Sequence, residues 1–191
     1  MPVRPATIAD AAALADFVNM AGEGLPLHLW KGMAGPGKDA WEFGRRRAMR
    51  ESGSFSYRNA ILLEERRRVV ACLVGYRLPD APEPIDYARM PPIFVPLQEL
   101  ENLAPGTWYV NVLACNPEER GKGYGSRLLL EAEERASESG CLALSIIVSD
   151  ANEGARRLYE RHLYRETARR PMVKEDWENP GESWVLLMKS L

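Results

Sequence analysis

Histidine is nearly missing from this sequence: His28 and His162 are the only two among 191 residues. Neither lies near Cys72, Cys115 or Cys141, so no local Cys–His pair marks a nucleophile. The cysteines are few, odd in number, without paired spacing and set in apolar runs. That pattern excludes a disulfide framework and reads as reduced, buried thiols of a cytoplasmic protein. No run approaches the roughly 18 apolar residues that a membrane span needs. The first residues also lack the apolar stretch of a signal peptide, so a soluble chain with no membrane partner is expected. An excess of one charge is absent too. A net charge of -2 and a pI near 5.8 argue against a nucleic-acid footprint over the whole domain. Two local basic runs, Arg45-Arg46-Arg47 and Arg66-Arg67-Arg68, read as a solvated helix face and a hairpin turn. For the first, a contact to cofactor phosphates or an acidic acceptor stays open.

What is present is a 46% hydrophobic chain, enough for one compact domain over 1–191 with a core that needs no staples. Residues 3–8 read as a strand, after which Asp10 caps a helix with Ala13, Leu14, Phe17 and Val18 at helical spacing. Residues 20–37 are rich in Gly and Pro and read as loop or broken helix; 39–51 read as a second amphipathic helix. Two apolar runs, 56–64 and 69–78, flank charged residues as a hairpin does. A Pro-rich insertion at about 79–106 then holds half of the 14 prolines. A proline lacks the N–H that a ladder needs, so this segment supplies no central strand. Its apolar side chains, among them Ile85, Met90, Ile93 and Phe94, point to a packed lid with a helical turn or two at 97–103.

Beyond the insertion the pattern is regular. Residues 107–115 read as a strand, 116–121 as a turn, and 125–139 as a helix with Leu128, Ala132 and Ala136 on one face, ended by Gly140. Residues 142–149 form a strand. Asn152 caps a helix over 153–162 that carries Ala155, Leu158, Tyr159 and His162 on one stripe. After a loop at 170–181, residues 184–188 close as a strand. This βαβαβ order implies an α/β sandwich around a mixed sheet.

The turn Arg120-Gly121-Lys122-Gly123-Tyr124-Gly125 joins a strand to a helix. Alternating glycines let a backbone approach a ligand closely, and the free N–H groups and dipole of a helix start favour an anion such as a pyrophosphate. A merely tight connection is the other reading. A Walker-type loop is excluded by the missing Gly-Lys-Ser/Thr. A dinucleotide fingerprint would put its third glycine on Ser126 or Leu128, and the strand before it lies too far along the chain for a first nucleotide-binding unit.

On these residues the sequence resembles the GNAT superfamily of N-acetyltransferases. That family carries Arg/Gln-x-x-Gly-x-Gly/Ala after its fourth strand, matched by Arg120, Gly123 and Gly125. It commonly carries an Asn after the fifth strand and a helix ending in Leu-Tyr-x-x-x-Gly-Phe/Tyr, matched by Asn152, Leu158, Tyr159 and Tyr164. The departures are Leu163 in place of the glycine and Tyr109 at a position where some members bear a glutamate. The resemblance implies a mixed α/β (α+β) fold: a mostly antiparallel twisted sheet of about six to seven strands, the fourth and fifth splayed, flanked by helices. It implies acetyl-CoA as co-substrate, no metal, and an amine acceptor, either a small molecule or a protein amino group. Arg120, Gly121, Lys122, Gly123, Tyr124, Gly125 and Ser126 would hold the CoA pyrophosphate. Leu113 and Cys115 main chain would line the pantetheine arm, and the Leu113 N–H would polarise the thioester carbonyl. Asn152 would bond the pantetheine or orient its helix, and Tyr159 would protonate the departing thiolate.

Alternatives remain at this stage. Tyr159 lies on an apolar stripe, where a core tyrosine is the lesser alternative, and Asn152 reads equally as a helix cap alone. Tyr109 leaves the general base without an owner; Glu23, Asp39, Glu42, Glu101 and His28 qualify by region, none by spacing. A non-catalytic acyl-CoA-binding regulatory module is the competing function. Trp30, Trp41, His28, the insertion and the 170–181 loop are expected to shape the acceptor pocket. Monomer and homodimer both stay open.

Overall fold

A computed structural model describes residues 2–191. The strands are β1 (Val3–Pro5), β2 (Ala60–Glu65), β3 (Arg68–Arg77), β4 (Trp108–Cys115), β5 (Ala143–Ser149), β6 (Arg165–Pro171) and β7 (Ser183–Ser190). The helices are α1 (Ala11–Ala21), α2 (Leu25–Ala34), α3 (Ala40–Ala48), α4 (Val95–Glu101), α5 (Tyr124–Glu138) and α6 (Glu153–Arg161). One seven-stranded sheet has the order β1-β2-β3-β4-β5-β7-β6. β4 and β5 run parallel, while β1–β2, β2–β3, β5–β7 and β6–β7 are antiparallel, so the sheet is mixed and mostly antiparallel. The chain divides into two compact units: one runs up to Gly75 and adds Asn111–Leu128, the other comprises Tyr76–Val110 and Leu129–Leu191.

In the first unit, β2 and β3 form the expected hairpin. Its turn residues Arg66 and Arg67 take φ of 50° and 64°, the left-handed pair that matches strand twist. Leu14, Phe17 and Val18 of α1 pack with Leu62 of β2, Cys72 and Val74 of β3, and Val112 and Ala114 of β4. β1 stops at Pro5, short of the expected Ile8, because Thr7 opens a 3-10 turn at Ile8–Asp10. Asp10 does not cap α1 through its side chain. Its carboxylate accepts from the Thr7 N–H at 2.7 Å and from two Arg4 nitrogens at 2.9 Å each. Residues 20–37, expected as loop or broken helix, contain the intact α2. Gly24, at φ 87°, makes the entry turn, and Pro26 sits in the first turn, where a missing N–H breaks no helical bond. Trp30 of α2 is core, stacked on Phe55 at 6.0 Å and edge-on to Trp41 at 5.9 Å. Gly44 of α3 permits this: a Cβ there would lie 2.4 Å from the Trp30 ring.

In the second unit, β5 pairs with β7 along its whole length, from Ala143↔Ser190 to Ser149↔Trp184. β6 had no counterpart in the sequence reading. Its residues, Arg-Glu-Thr-Ala-Arg-Arg-Pro, are mostly exposed, and an edge strand of this kind shows no apolar alternation. The following loop is packed: Trp177 stacks on Trp184 at 6.0 Å, and the Asp150 carboxylate accepts from the Glu182 and Ser183 N–H groups. The insertion is closed at its stem by Leu78 N–H to the Thr107 carbonyl and Gly106 N–H to the Pro79 carbonyl, both 2.8 Å. Within it α4 packs on β5, β6 and β7, burying Ile93, Pro96 and Leu100 beside it. Leu163 meets the family departure directly: the residue itself takes φ 69°, and the Tyr164 N–H returns to the Tyr159 carbonyl at 3.0 Å.

All three cysteines are free, and burial raises the pKa of each thiol. Among the described residues no helix is long and apolar enough to cross a membrane, and no three His, Cys, Asp or Glu residues are grouped to hold a metal.

Two stability measurements follow from these contacts. The Arg4 guanidinium, with the Thr7 donors, holds Asp10 down at about 2, so its stabilisation is present above the ordinary aspartate range and disappears as pH falls toward 2. Asp10→Asn costs about 1 kcal/mol in urea titrations at pH 7, after allowing for solvent screening, and the difference closes below pH ~3. Leu163→Gly stabilises by about 0.5–1 kcal/mol in the same assay, because glycine relieves the left-handed conformation at a side chain that is 63% exposed.

Candidate functional site

The first unit carries the glycine-rich turn. Along β4, Val112 and Ala114 are buried and alternate with half-buried Asn111, Leu113 and Cys115. The strand ends where the Asn116 N–H donates to the Val70 carbonyl at 3.0 Å, and a 3-10 turn at Pro117–Glu119 follows. Gly121 and Gly123 then take φ of 79° and 83°. A Cβ at either would meet nothing within 4 Å, so glycine is demanded by the backbone conformation and the turn stays open to solvent. The first α5 ladder bond runs from the Arg127 N–H to the Gly123 carbonyl at 3.0 Å, leaving the Tyr124 and Gly125 N–H groups ahead of it. The Tyr124 hydroxyl donates to Glu65 at 2.8 Å and ties the helix start to β2. Lys122 pairs with Glu119, and Arg120 is exposed beside it. N–H groups ahead of the helical ladder, a helix dipole and two cations suit a polyanion such as a pyrophosphate.

The second unit carries the Asn–Tyr helix. Asn152 caps α6, its Oδ1 accepting from the Ala155 N–H at 3.1 Å. Two turns on, Tyr159 is 4% exposed, with its ring 5.9 Å from that of Tyr164. Burial pushes the Tyr159 phenol up and keeps it protonated. Tyr109 of β4 is buried edge-on to Tyr76 at 5.8 Å. Its pKa is raised by burial first, then by the charges of Glu101, Tyr76 and Tyr159.

Glu101 closes α4. Burial, with the neighbouring Glu83 adding to it, raises its carboxyl to about 7. Glu83 is brought there by Asn102, whose Oδ1 accepts from the Glu83 N–H at 2.9 Å while its Nδ2 donates to the Glu83 carbonyl at 2.8 Å. Both glutamates line a recess of about 10 Å³ walled by Leu78, Pro79, Pro82 and Pro105. That is room for a single water.

The profile of the Acetyltransferase (GNAT) family matches residues 29–163. The chain belongs to that family and is an acetyltransferase. No match was found among curated proteins. Among solved structures, a Drosophila melanogaster polyamine N-acetyltransferase that forms N-acetylagmatine is 18% identical, over 100% of this chain and 99% of its own, with a TM-score of 0.68. A variant of an agmatine N-acetyltransferase in its apo form is 19% identical over 100% and 99% of the two chains, with a TM-score of 0.70. A GNAT family acetyltransferase from Elizabethkingia anophelis with acetyl-CoA bound is 18% identical over 69% and 75%, with a TM-score of 0.51. At these identities the likeness establishes a shared fold.

The sequence-predicted site residues fall in two groups. Leu113, Cys115 and the run Arg120 to Ser126 belong to the first unit, as one strand end and the turn and helix start that follow it. Asn152 and Tyr159 belong to the second, at the cap and last turn of α6. Sequence reasoning left Glu101 among five regional candidates. In the structure it is set apart by the nearby Glu83, whose peptide is held by the Asn102 amide across 19 residues, a link that no local pattern displays.

The pairing is measurable without substrate. A carboxyl raised to about 7 favours the folded state while neutral, and that advantage is lost as pH rises from the ordinary glutamate value through 7. Glu101→Gln therefore becomes the more stable protein above neutrality, with a difference of about 2–3 kcal/mol at pH ~8 that closes toward pH ~4 in denaturant titrations.

Proposed function

We propose that this acetyltransferase transfers the acetyl group of acetyl-CoA directly to an acceptor amine, with no acyl-enzyme. The observation that carries the reading is the turn at Gly121 and Gly123, held left-handed and open ahead of α5 with Lys122 and Arg120 beside it. In this reading the N–H groups from Gly121 to Ser126 take the CoA pyrophosphate. Main chain at Leu113 and Cys115 takes the pantetheine arm, and the Leu113 N–H steadies the charge that develops on the thioester oxygen. Cys115 contributes no nucleophile, since burial raises its thiol and disfavours the thiolate. Asn152 acts through the cap that sets the start of α6. Tyr159 supplies a phenol that stays protonated and can donate to the leaving thiolate.

The acceptor has to arrive at the thioester as a neutral amine. For a lysine-like amine of pKa ~10.4, deprotonation at pH 7 costs about 4.6 kcal/mol, so the reaction needs a base. Agmatine and polyamines are the first acceptors to test, because two proteins of like fold acetylate such amines.

Release of CoA thiol from acetyl-CoA against a panel of primary amines tests the reading. Tyr159→Phe lowers kcat about 10- to 100-fold and leaves the Kd for acetyl-CoA in place. Gly123→Ala raises that Kd about tenfold, since the turn cannot keep its left-handed residue unstrained. Tight CoA binding with no thiol release against any amine would instead identify a non-catalytic acyl-CoA-binding module.

A further inference from the structure

We propose that Glu101 is the general base of this enzyme, drawing the proton from the acceptor ammonium through one water in the recess it shares with Glu83. The assignment rests on the amine-acetylation reading above. Three features of the second unit carry it. First, the Glu101 carboxylate has no ion pair or hydrogen bond among the described residues, whereas Glu99, two residues earlier, is taken by Arg170 of β6 at 2.8 Å. A partly buried carboxylate left without a partner is costly to a fold and is not explained by stability. Second, the Asn102 clamp fixes Glu83 against the same recess, which has room for about one water and is lined by Gln98 and Asn102 as well as by Pro79, Pro82 and Pro105. A single water is an accepted reach for a general base. Third, Glu101 and Tyr159 both raise the pKa of Tyr109 through their charges, so Glu101 and the proposed acid share one electrostatic neighbourhood.

The charged and titratable groups that face Glu101 are Glu83 from the insertion and Tyr109 from β4. Among the strands that α4 packs against, Arg170 of β6 is spent on Glu99, Lys189 of β7 on Glu133, and β5 carries no charge. A carboxyl at about 7 is ionised often enough at neutral pH to accept a proton and basic enough to compete for one.

The proton count closes. Glu101 takes one proton from R–NH3+ through the water and later releases it to solvent. The neutral nitrogen attacks the thioester carbon, forming C–N. As C–S breaks, the sulfur receives the Tyr159 proton, and the second nitrogen proton restores the phenol. The sum is R–NH3+ and acetyl-CoA giving the amide, CoA thiol and one proton.

The test is the pH profile of kcat/KM for agmatine, or for the panel amine with the highest turnover if agmatine is inert. The wild type loses activity below about pH 7. Glu101→Gln loses about 100-fold or more at pH 7.5, and its limb moves toward the amine's own pKa near 10, with KM for acetyl-CoA unchanged. Glu101→Asp restores part of the rate and keeps a limb near neutrality. Glu83→Gln leaves the base in place and moves the limb to lower pH, which a merely structural Glu101 does not produce. An unmoved limb in Glu101→Gln, or an equal loss at every pH, overturns the assignment while leaving amine acetylation intact. No thiol release by the wild type overturns both.

Discussion

Strand β4 has to satisfy two different environments with one backbone, and the period-2 geometry of a strand is what allows it. Val112 and Ala114 go into the hydrophobic core with Leu62, Cys72 and Val74, while Asn111, Leu113 and Cys115 are turned the other way and remain only half-buried. The strand begins at Trp108 and Tyr109, and the glycine turn that opens α5 follows its end. A shift of one residue would exchange the two faces and send Leu113 into the core. The proposed acetyl-CoA chemistry therefore depends first on this register.

The turn after β4 and the exit from α6 solve one backbone problem in opposite ways. Gly121 and Gly123 adopt positive φ without cost and leave open space above themselves, as a segment that receives a ligand's phosphates has to do. Leu163 adopts φ 69° with a side chain that resists it, held by the Tyr164 N–H bond to the Tyr159 carbonyl. Keeping Tyr159 and Tyr164 against one another, 5.9 Å apart, is what that strained exit secures. Strain retained where a chain must place a side chain is a common feature of working sites.

The proline-rich insertion is more than a cover. Its stem is closed by two backbone bonds, α4 packs on three strands, and Asn102 locks the Glu83 peptide from both sides. These fixtures hold a carboxylate in surroundings that favour its neutral form, next to a second carboxylate, without a cation to compensate. The segment that carries the most proline thus also carries the group most displaced toward neutral pH.

Local chemistry alone determined much of this molecule. The hairpin with Arg66 and Arg67, the strand at β4, the glycine turn, α5 with Gly140 beyond it, and α6 with its Asn152 cap all rest on contacts within a few residues, so spacing and capping rules reach them. Where the sequence reading missed, the deciding contact was distant or the local pattern ambiguous. The proline and glycines of α2 resemble loop until Trp30 docks on Phe55, and the polar β6 exists only because β7 offers it a ladder. Asp10, placed as a helix cap by its spacing, is claimed by Arg4. The proposed general base is the least legible of all, because nothing in the residues around Glu101 distinguishes it from Glu99. One is neutralised by Arg170, 71 positions away, and the other is left facing Glu83 by a clamp 19 positions long; electrostatic environment is a property of what the fold brings together, and only the tertiary structure decides it.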